Sequence, residues 1–331
     1  MRFSFLIFLS VVSGPLWSSE MLRVGMLNST ASRDGPGVFI SDFEKNDPDI
    51  LTEIMAIKSV QLDIVLITDF DQDDERWAAA ILSEALEYPY FYQGPTPRGI
   101  QSGYDLNQDN RFDAEDAWGY GEFRGQHGMV ILSKRPITNA RSFNDTKWKD
   151  VKGAIRPKDY YRDDVWAQYP LASSGIWQVE IQGIQLLSVY ATTPAFDGVE
   201  DRNGLRNMAE NLWLDHYLRG EQMIDDQGIA SSLDQHKFIA MGTLNLDPNS
   251  GEGRKGVMQH LLTNPRLQDE PPIGPLGSAT ADWRDKGIGA LRVDYILPSC
   301  HFTINNKGMK AIDGNPHFLV WYEVETGATC D

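Results

Sequence analysis

Two hydrophobic periods alternate along the 331-residue chain. Residues 22–27 form a short apolar run of strand type, and Asp47-Pro48 then marks a helix start with proline in the first turn. Leu51, Ile54 and Met55 recur at helical spacing, which predicts that they share that helix's buried face. Residues 62–68 are almost continuously apolar, as in a strand covered on both faces. Trp77, Ile81, Leu82 and Leu86 mark a second helix. Leu205, Met208, Ala209 and Leu212 mark a third, which Gly220 can end. Residues 129–132, 184–189, 238–241, 293–297 and 318–324 read as further strands, and the Pro- and Gly-rich residues 270–277 as a loop. The mixture predicts one α/β domain over residues 20–331.

The first 19 residues break this pattern. Arg2, the apolar run 3–12, a Gly14-Pro15 break and Ser18-Ser19 have the layout of a secretory signal peptide, too short to span a bilayer. A buried first helix is the competing reading. A leader predicts a secreted or periplasmic protein, and no later stretch approaches the ~20 apolar residues of a membrane span. The two cysteines, Cys300 and Cys330, then suggest one disulfide tying the C-terminal tail to a neighbouring segment, with two unpaired buried thiols as the alternative.

Composition narrows the classes further. Nine Trp, 12 Tyr and 14 Phe supply a sizeable core and exclude a disordered chain. With 30 Lys+Arg against 47 Asp+Glu the formal charge is −17, which disfavours long nucleic acids as partners. A monomer acting on a small ligand is the expectation.

One acidic stretch has metal-type spacing. Asp105, Asn107, Asp109, Asp113 and Asp116 stand at positions 1, 3, 5, 9 and 12 of a calcium-type loop, with the Arg111 carbonyl at position 7. Asn110 replaces the usual turn glycine, which the tolerance of Asn for a left-handed backbone makes feasible. Asp116 replaces the bidentate Glu, and this ending resembles the loops of dockerin-type modules. The reading predicts a stabilising Ca²⁺ in an insertion over 105–116, against the alternative of a solvated acidic loop.

Seven short segments carry the chemistry: Val-Gly-Met-Leu-Asn28, Asp63-Ile-Val-Leu-Ile-Thr-Asp69, Gly128-Met-Val-Ile-Leu-Ser-Lys-Arg-Pro136, Leu-Leu-Ser-Val-Tyr190, Gly242-Thr-Leu-Asn245, Arg292-Val-Asp294-Tyr-Ile and Asn315-Pro316-His317. In this order they resemble the endonuclease/exonuclease/phosphatase superfamily, and residues 197–207 resemble a secreted bacterial branch of it. The resemblance implies a four-layer αββα sandwich, two mixed β-sheets flanked by helices. It also implies phosphoester hydrolysis assisted by Mg²⁺ or Mn²⁺ in a cleft, on a small phosphoester or nucleotide-type substrate.

Position by position, Asn28 matches the strand-end Asn, Asp69 stands where the family has its metal-binding Glu, and Tyr190 takes a place that is His or Tyr. Asn245 matches the phosphate-binding Asn, Asp294 the His-orienting Asp and His317 the catalytic His. Two positions depart: Thr243 replaces the water-activating Asp, and Pro316 the Asp of the terminal Asp-His pair. A threonine hydroxyl is a poor general base, and loss of a base costs about 10²–10⁴-fold in rate. Both losses also remove negative charge that a cation needs. The resemblance therefore implies a phosphoesterase of reduced activity or, alternatively, a pseudoenzyme binding a ligand or partner through the former cleft. Asp71, Asp73 and Asp74 could supply replacement ligands, whereas His127, His216, His236 and His260 read as solvated surface residues.

Overall fold

The computed structural model describes residues 21–233, 236–328 and 330, so the leader-like residues 1–19 lie outside it. In chain order the first half contains β1 (Met21–Asn28), α1 (Val38–Glu44), α2 (Pro48–Val60), β2 (Ile64–Phe70), α3 (Trp77–Ala85), β3 (Tyr90–Tyr92), β4 (Gly128–Ser133), β5 (Ile137–Ser142) and α4 (Asp163–Gln168). The second half begins with β6 (Gly175–Ile181), β7 (Ile184–Tyr190), α5 (Arg202–Leu218), β8 (Met223–Ile224), β9 (Ala230–Ser231), β10 (Phe238–Thr243) and α6 (Lys255–Leu262). It ends with β11 (Ala281–Trp283), β12 (Gly289–Leu291), β13 (Asp294–Pro298), β14 (Phe302–Ile312) and β15 (Asn315–Thr326).

Two sheets face each other, each built around one parallel pair. The first has the order β12-β11-β15-β1-β2-β4-β3, with β14 also on β15, and β1 and β2 run parallel at its centre. The second has the order β13-β10-β7-β6-β5, with β7 and β10 parallel. Met26, Leu66, Met129, Trp177, Leu186, Ile239 and Ile296 fill the space between the sheets. On the outer face of the first sheet, Ile50, Ile54, Ile57 and Leu82 pack against Val65, Ile67 and Val130. On that of the second, Met208, Trp213, Tyr217 and Met258 pack against Leu187, Val189 and Phe238. These are the four layers of an αββα sandwich. Along β2, Ile64 and Leu66 face the partner sheet while Val65 and Ile67 face helices, which is why the run carries no polar alternation.

The helix faces differ in detail from the periodicity. In α2 the buried residues are Ile50, Glu53, Ile54, Ala56 and Ile57, while Leu51 and Met55 are exposed. A buried acid on the core side hid the true stripe. In α3 the core side is Ala78, Ala79 and Leu82, and Trp77 is exposed in the first turn, where Asp73 caps its backbone N–H. The third helix ends as expected, with Gly220 at φ 90° just beyond it. Cys300 and Cys330 are disulfide-bonded with Cα atoms 5.1 Å apart. No helix among the described residues is long and apolar enough to cross a membrane.

Candidate active site

The C-terminal ends of both parallel pairs meet at one edge of the sandwich. Parallel register places Asn28 beside Thr68, and Tyr190 beside Thr243. Antiparallel register adds Asp294 opposite Thr243, and Ala281 pairs with His317. Topology alone therefore gathers Asn28, Tyr190, Thr243, Asp294 and His317 from segments up to 289 residues apart in sequence (317 − 28). Open α/β sheets commonly bind ligands beyond the carboxyl ends of parallel strands.

Thr243 is the knot of this cluster. Its hydroxyl donates to Asp294 Oδ1 at 2.8 Å. Since that uses its one proton, the Thr68 hydroxyl at 2.9 Å must donate to it, as does Asn28 Nδ2 at 3.3 Å. One donor and two acceptor sites exhaust a hydroxyl's capacity. Thr243 is fully buried, so it offers water neither a lone pair nor access. The other carboxylate oxygen of Asp294 meets His317 Nδ1 at 2.8 Å, and the Thr280 hydroxyl accepts the Asp294 backbone N–H at 2.9 Å. Trp283 packs edge-on against the His317 ring at 5.1 Å. Nδ1 is thus fixed, while Nε2 hydrogen-bonds no described residue and is left for a ligand. Arg292, the other conceivable partner of Asp294, pairs with Asp269 at 2.6 Å instead.

Asp69 is held differently. Thr68 faces Met129 and Phe70 faces Gly128, so Asp69 is one extra residue on β2, a bulge with φ 59°. The bulge presents its carboxylate to His127, whose Nδ1 lies 2.6 Å from Oδ1. His127 is left-handed too, at φ 57°, and Asn245 beyond β10 has φ 53°. Left-handed backbone at a non-glycine residue costs about 1–2 kcal/mol, and strain of this kind clusters at functional sites. His127 belongs to the site and not to the solvated surface the sequence suggested. The signal for it was a bulge, which no periodicity reports.

The remaining residues complete the frame. Asn245 Nδ2 donates to the Ala191 carbonyl at 2.8 Å, and Asn315 Nδ2 donates to both the Asn28 carbonyl and Glu53 Oε1, each at 2.8 Å. Glu53 also accepts the Thr30 N–H and hydroxyl, and burial raises its pKa against these bonds. Burial lifts the Tyr190 phenol above its ordinary pKa, with the charge of Asp69 adding to the effect, so it stays protonated. Asp71, Asp73 and Asp74 do not come together as ligands: Asp71 holds Ser32 and the Arg33 N–H, Asp73 caps α3, and Asp74 pairs with Arg124.

These donors do not fit a tightly held divalent ion. Asp69 is already paired with His127, Asp294 is spent on Thr243 and His317, and Pro316 supplies nothing. Among the described residues the one group of three His, Cys, Asp or Glu whose ligand atoms lie within 4.8 Å of one another is Cys300, His301 and Cys330, of which two are joined in the disulfide. In the 105–116 loop, Asp105 accepts the N–H groups of Asp109 and Asn110, and Asn110 has φ 62°. Asp116 is fully buried and accepts from the Leu106 and Asp113 N–H groups. Beside the cluster, Asp69, His127 and Tyr190 border a cavity of about 540 Å³.

Solved structures share this architecture. An endonuclease/exonuclease/phosphatase from Beutenbergia cavernae superposes with a TM-score of 0.59 at 15% identity, over 93% of this chain and 72% of that one. A family protein from Bacteroides thetaiotaomicron gives 0.53 at 12% identity, over 94% and 100%. A 3'-5' exonuclease from Neisseria meningitidis gives 0.51 at 13%, over 91% and 98%. No curated protein sequence matches the chain. The family model described as "Endonuclease/Exonuclease/phosphatase family" matches residues 28–305. Enzymes of that family hydrolyse phosphoesters, typically with divalent metals. With its motif residues at one sheet edge and that match over most of its length, the chain belongs to the endonuclease/exonuclease/phosphatase family.

Proposed function

We propose that this protein binds a small phosphoester at the sheet edge and hydrolyses it far more slowly than a family member with an intact acid set. The observation that carries this reading is the saturated hydroxyl of Thr243, which cannot take a proton from water because both its acceptor sites are used. His317, oriented by Asp294 with Nε2 free, keeps the phosphate-contacting half of the chemistry. Asn28, Asn245 and Tyr190 supply neutral hydrogen-bonding groups around it.

The second reading, a binding protein without turnover, is favoured by the closure of Asp69 on His127, which takes the one remaining cleft carboxylate away from an ion. The disulfide supports export, since such bonds persist in oxidising compartments. The Ca²⁺ reading of loop 105–116 rests on its ligand spacing, since Asp105 and Asp116 accept backbone N–H groups in this structure. Ca²⁺ added after chelation is expected to raise Tm, as any ligand specific for the folded state does; an unchanged Tm removes that element.

The decisive experiment assays bis-p-nitrophenyl phosphate, p-nitrophenyl phosphate and plasmid DNA with Mg²⁺, Mn²⁺ and Ca²⁺. Slow wild-type turnover that vanishes in His317→Ala is expected, with a gain of about 10²–10⁴-fold when Thr243→Asp is combined with Pro316→Asp. Turnover indifferent to His317→Ala would overturn the reading. Wild-type silence with a gain in the double variant would select the binding-only alternative.

A further inference from the structure

The cavity beside Tyr190 has a chemistry of its own. Arg98 and Arg206 line it, and only 8% and 5% of their surfaces are exposed. Neither forms an ion pair with a described carboxylate, although the chain carries 47 acidic residues. Buried guanidinium groups are ordinarily paired. Each is instead held by neutral acceptors. Arg98 donates to the Ser174 hydroxyl and the Tyr120 carbonyl, and Arg206 to the carbonyls of Pro170, Leu171 and Ala172. Each lies over a tyrosine ring, Arg98 at 5.1 Å from Tyr190 and Arg206 at 4.9 Å from Tyr169.

This scaffolding leaves Arg98 Nη2 and Arg206 Nη1 without a hydrogen-bond partner among the described residues. The hydroxyl of Ser173, on the same wall, is buried and also unpartnered. Arg202, the third cavity arginine, is already paired with Glu115 and Glu200. Glu210, four residues on in α5, feels the charge of Arg206 without touching it, and its carboxylate accepts the Ser173 and Thr192 N–H groups. Two oriented cations and an idle hydroxyl thus face one space.

Aromatic rings make up much of the rest. Tyr120, Tyr161 and Phe196 join Tyr169 and Tyr190 in the lining, and Phe196 is 86% exposed on left-handed backbone at φ 63°. A volume of about 540 Å³ lies in the usual range for small-molecule sites.

We propose that this cavity is an oxyanion compartment, holding a phosphate, sulfate or carboxylate group of a small ring-bearing ligand between Arg98, Arg206 and Ser173. It rests on the phosphoester reading only for the assumption that the same ligand reaches past Tyr190 to His317. Of the motif residues, Asp69 and Tyr190 border the compartment, and its anion contacts use neither Thr243, Asp294 nor His317.

Calorimetry on the full chain at low salt tests this, with inorganic phosphate, p-nitrophenyl phosphate and uncharged p-nitrophenol as probes. Phosphate is expected to bind, p-nitrophenyl phosphate more tightly, and p-nitrophenol not measurably. Arg98→Gln should weaken both anions about tenfold or more, and Ser173→Ala about two- to tenfold, the ranges for charged and neutral hydrogen bonds. Phe196→Ala should weaken p-nitrophenyl phosphate and leave phosphate unchanged. If Arg98→Gln fails to fold by circular dichroism, the Ser173→Ala series decides. Phosphate affinity lost in His317→Ala but kept in Ser173→Ala would put the anion at the motif residues and overturn the proposal, as would absence of binding at tens of millimolar. Absence of turnover with compartment binding intact counts only against the hydrolytic reading.

Discussion

Asp294 and His317 join across the seam between the sheets, with side chains 1% and 9% exposed; Asp69 and His127 meet on left-handed backbone at the cavity edge, each about one-quarter exposed. The first pair comes from regular strands, β13 and β15, and is tied to Thr243, Thr68 and Asn28 by further bonds. The second depends on a bulge and a loop. A buried, multiply bonded pair cannot lose one partner without stranding the others. A pair one-quarter exposed can be rehydrated, so its interaction energy is small. The contrast teaches that Asp294 and His317 are built into the architecture, while Asp69 is held by a single partner at the cavity edge.

The comparison breaks most easily at Asp294. Asp294→Ala should cost about 3–5 kcal/mol in urea denaturation, the range for opening a buried pair, while Asp69→Ala should cost under about 1 kcal/mol. Equal losses would abolish the distinction. Thr243→Val keeps the shape but strands Asp294 Oδ1, and about 1–3 kcal/mol should be lost; a neutral result would mean that the hydroxyl knot is idle.

Glu53 sharpens the comparison through pH. Its folded pKa is raised by burial, so the folded state binds the proton more tightly than the unfolded one. Stability from this group is therefore full in acid and falls as pH rises from the unfolded value through the higher folded value. All three of its acceptor bonds are made by Oε1, so Glu53→Gln can keep them and should flatten that slope in Tm against pH. An unchanged slope would assign it to other groups. The smallest effect is expected at the bulge, where Asp69→Gly should recover about 1 kcal/mol of backbone strain. A loss there would show that the pair with His127 outweighs the strain.

Much of this was legible in the sequence because strand ends carry the motif. Asn28, Tyr190, Thr243, Asp294 and His317 close β1, β7 and β10 or open β13 and β15, so their order along the chain already encoded their meeting. His127 was hidden because a one-residue bulge at Asp69 decides its direction. Glu53 was hidden because an acid on a helix reads as solvent-facing, and Leu51 and Met55 took its place on the expected stripe. Arg98 and Arg206 have no pattern at all: no carboxylate among the described residues touches either, which only three dimensions reveal.

The bonds of Thr243 also limit which side chain that position can carry. An aspartate at 243 would set a second negative charge against Asp294, where the hydroxyl now sits at 2.8 Å. Like charges at that separation repel unless a cation or proton lies between them. An acid at this position is therefore tolerated only together with a neutralising partner beside it.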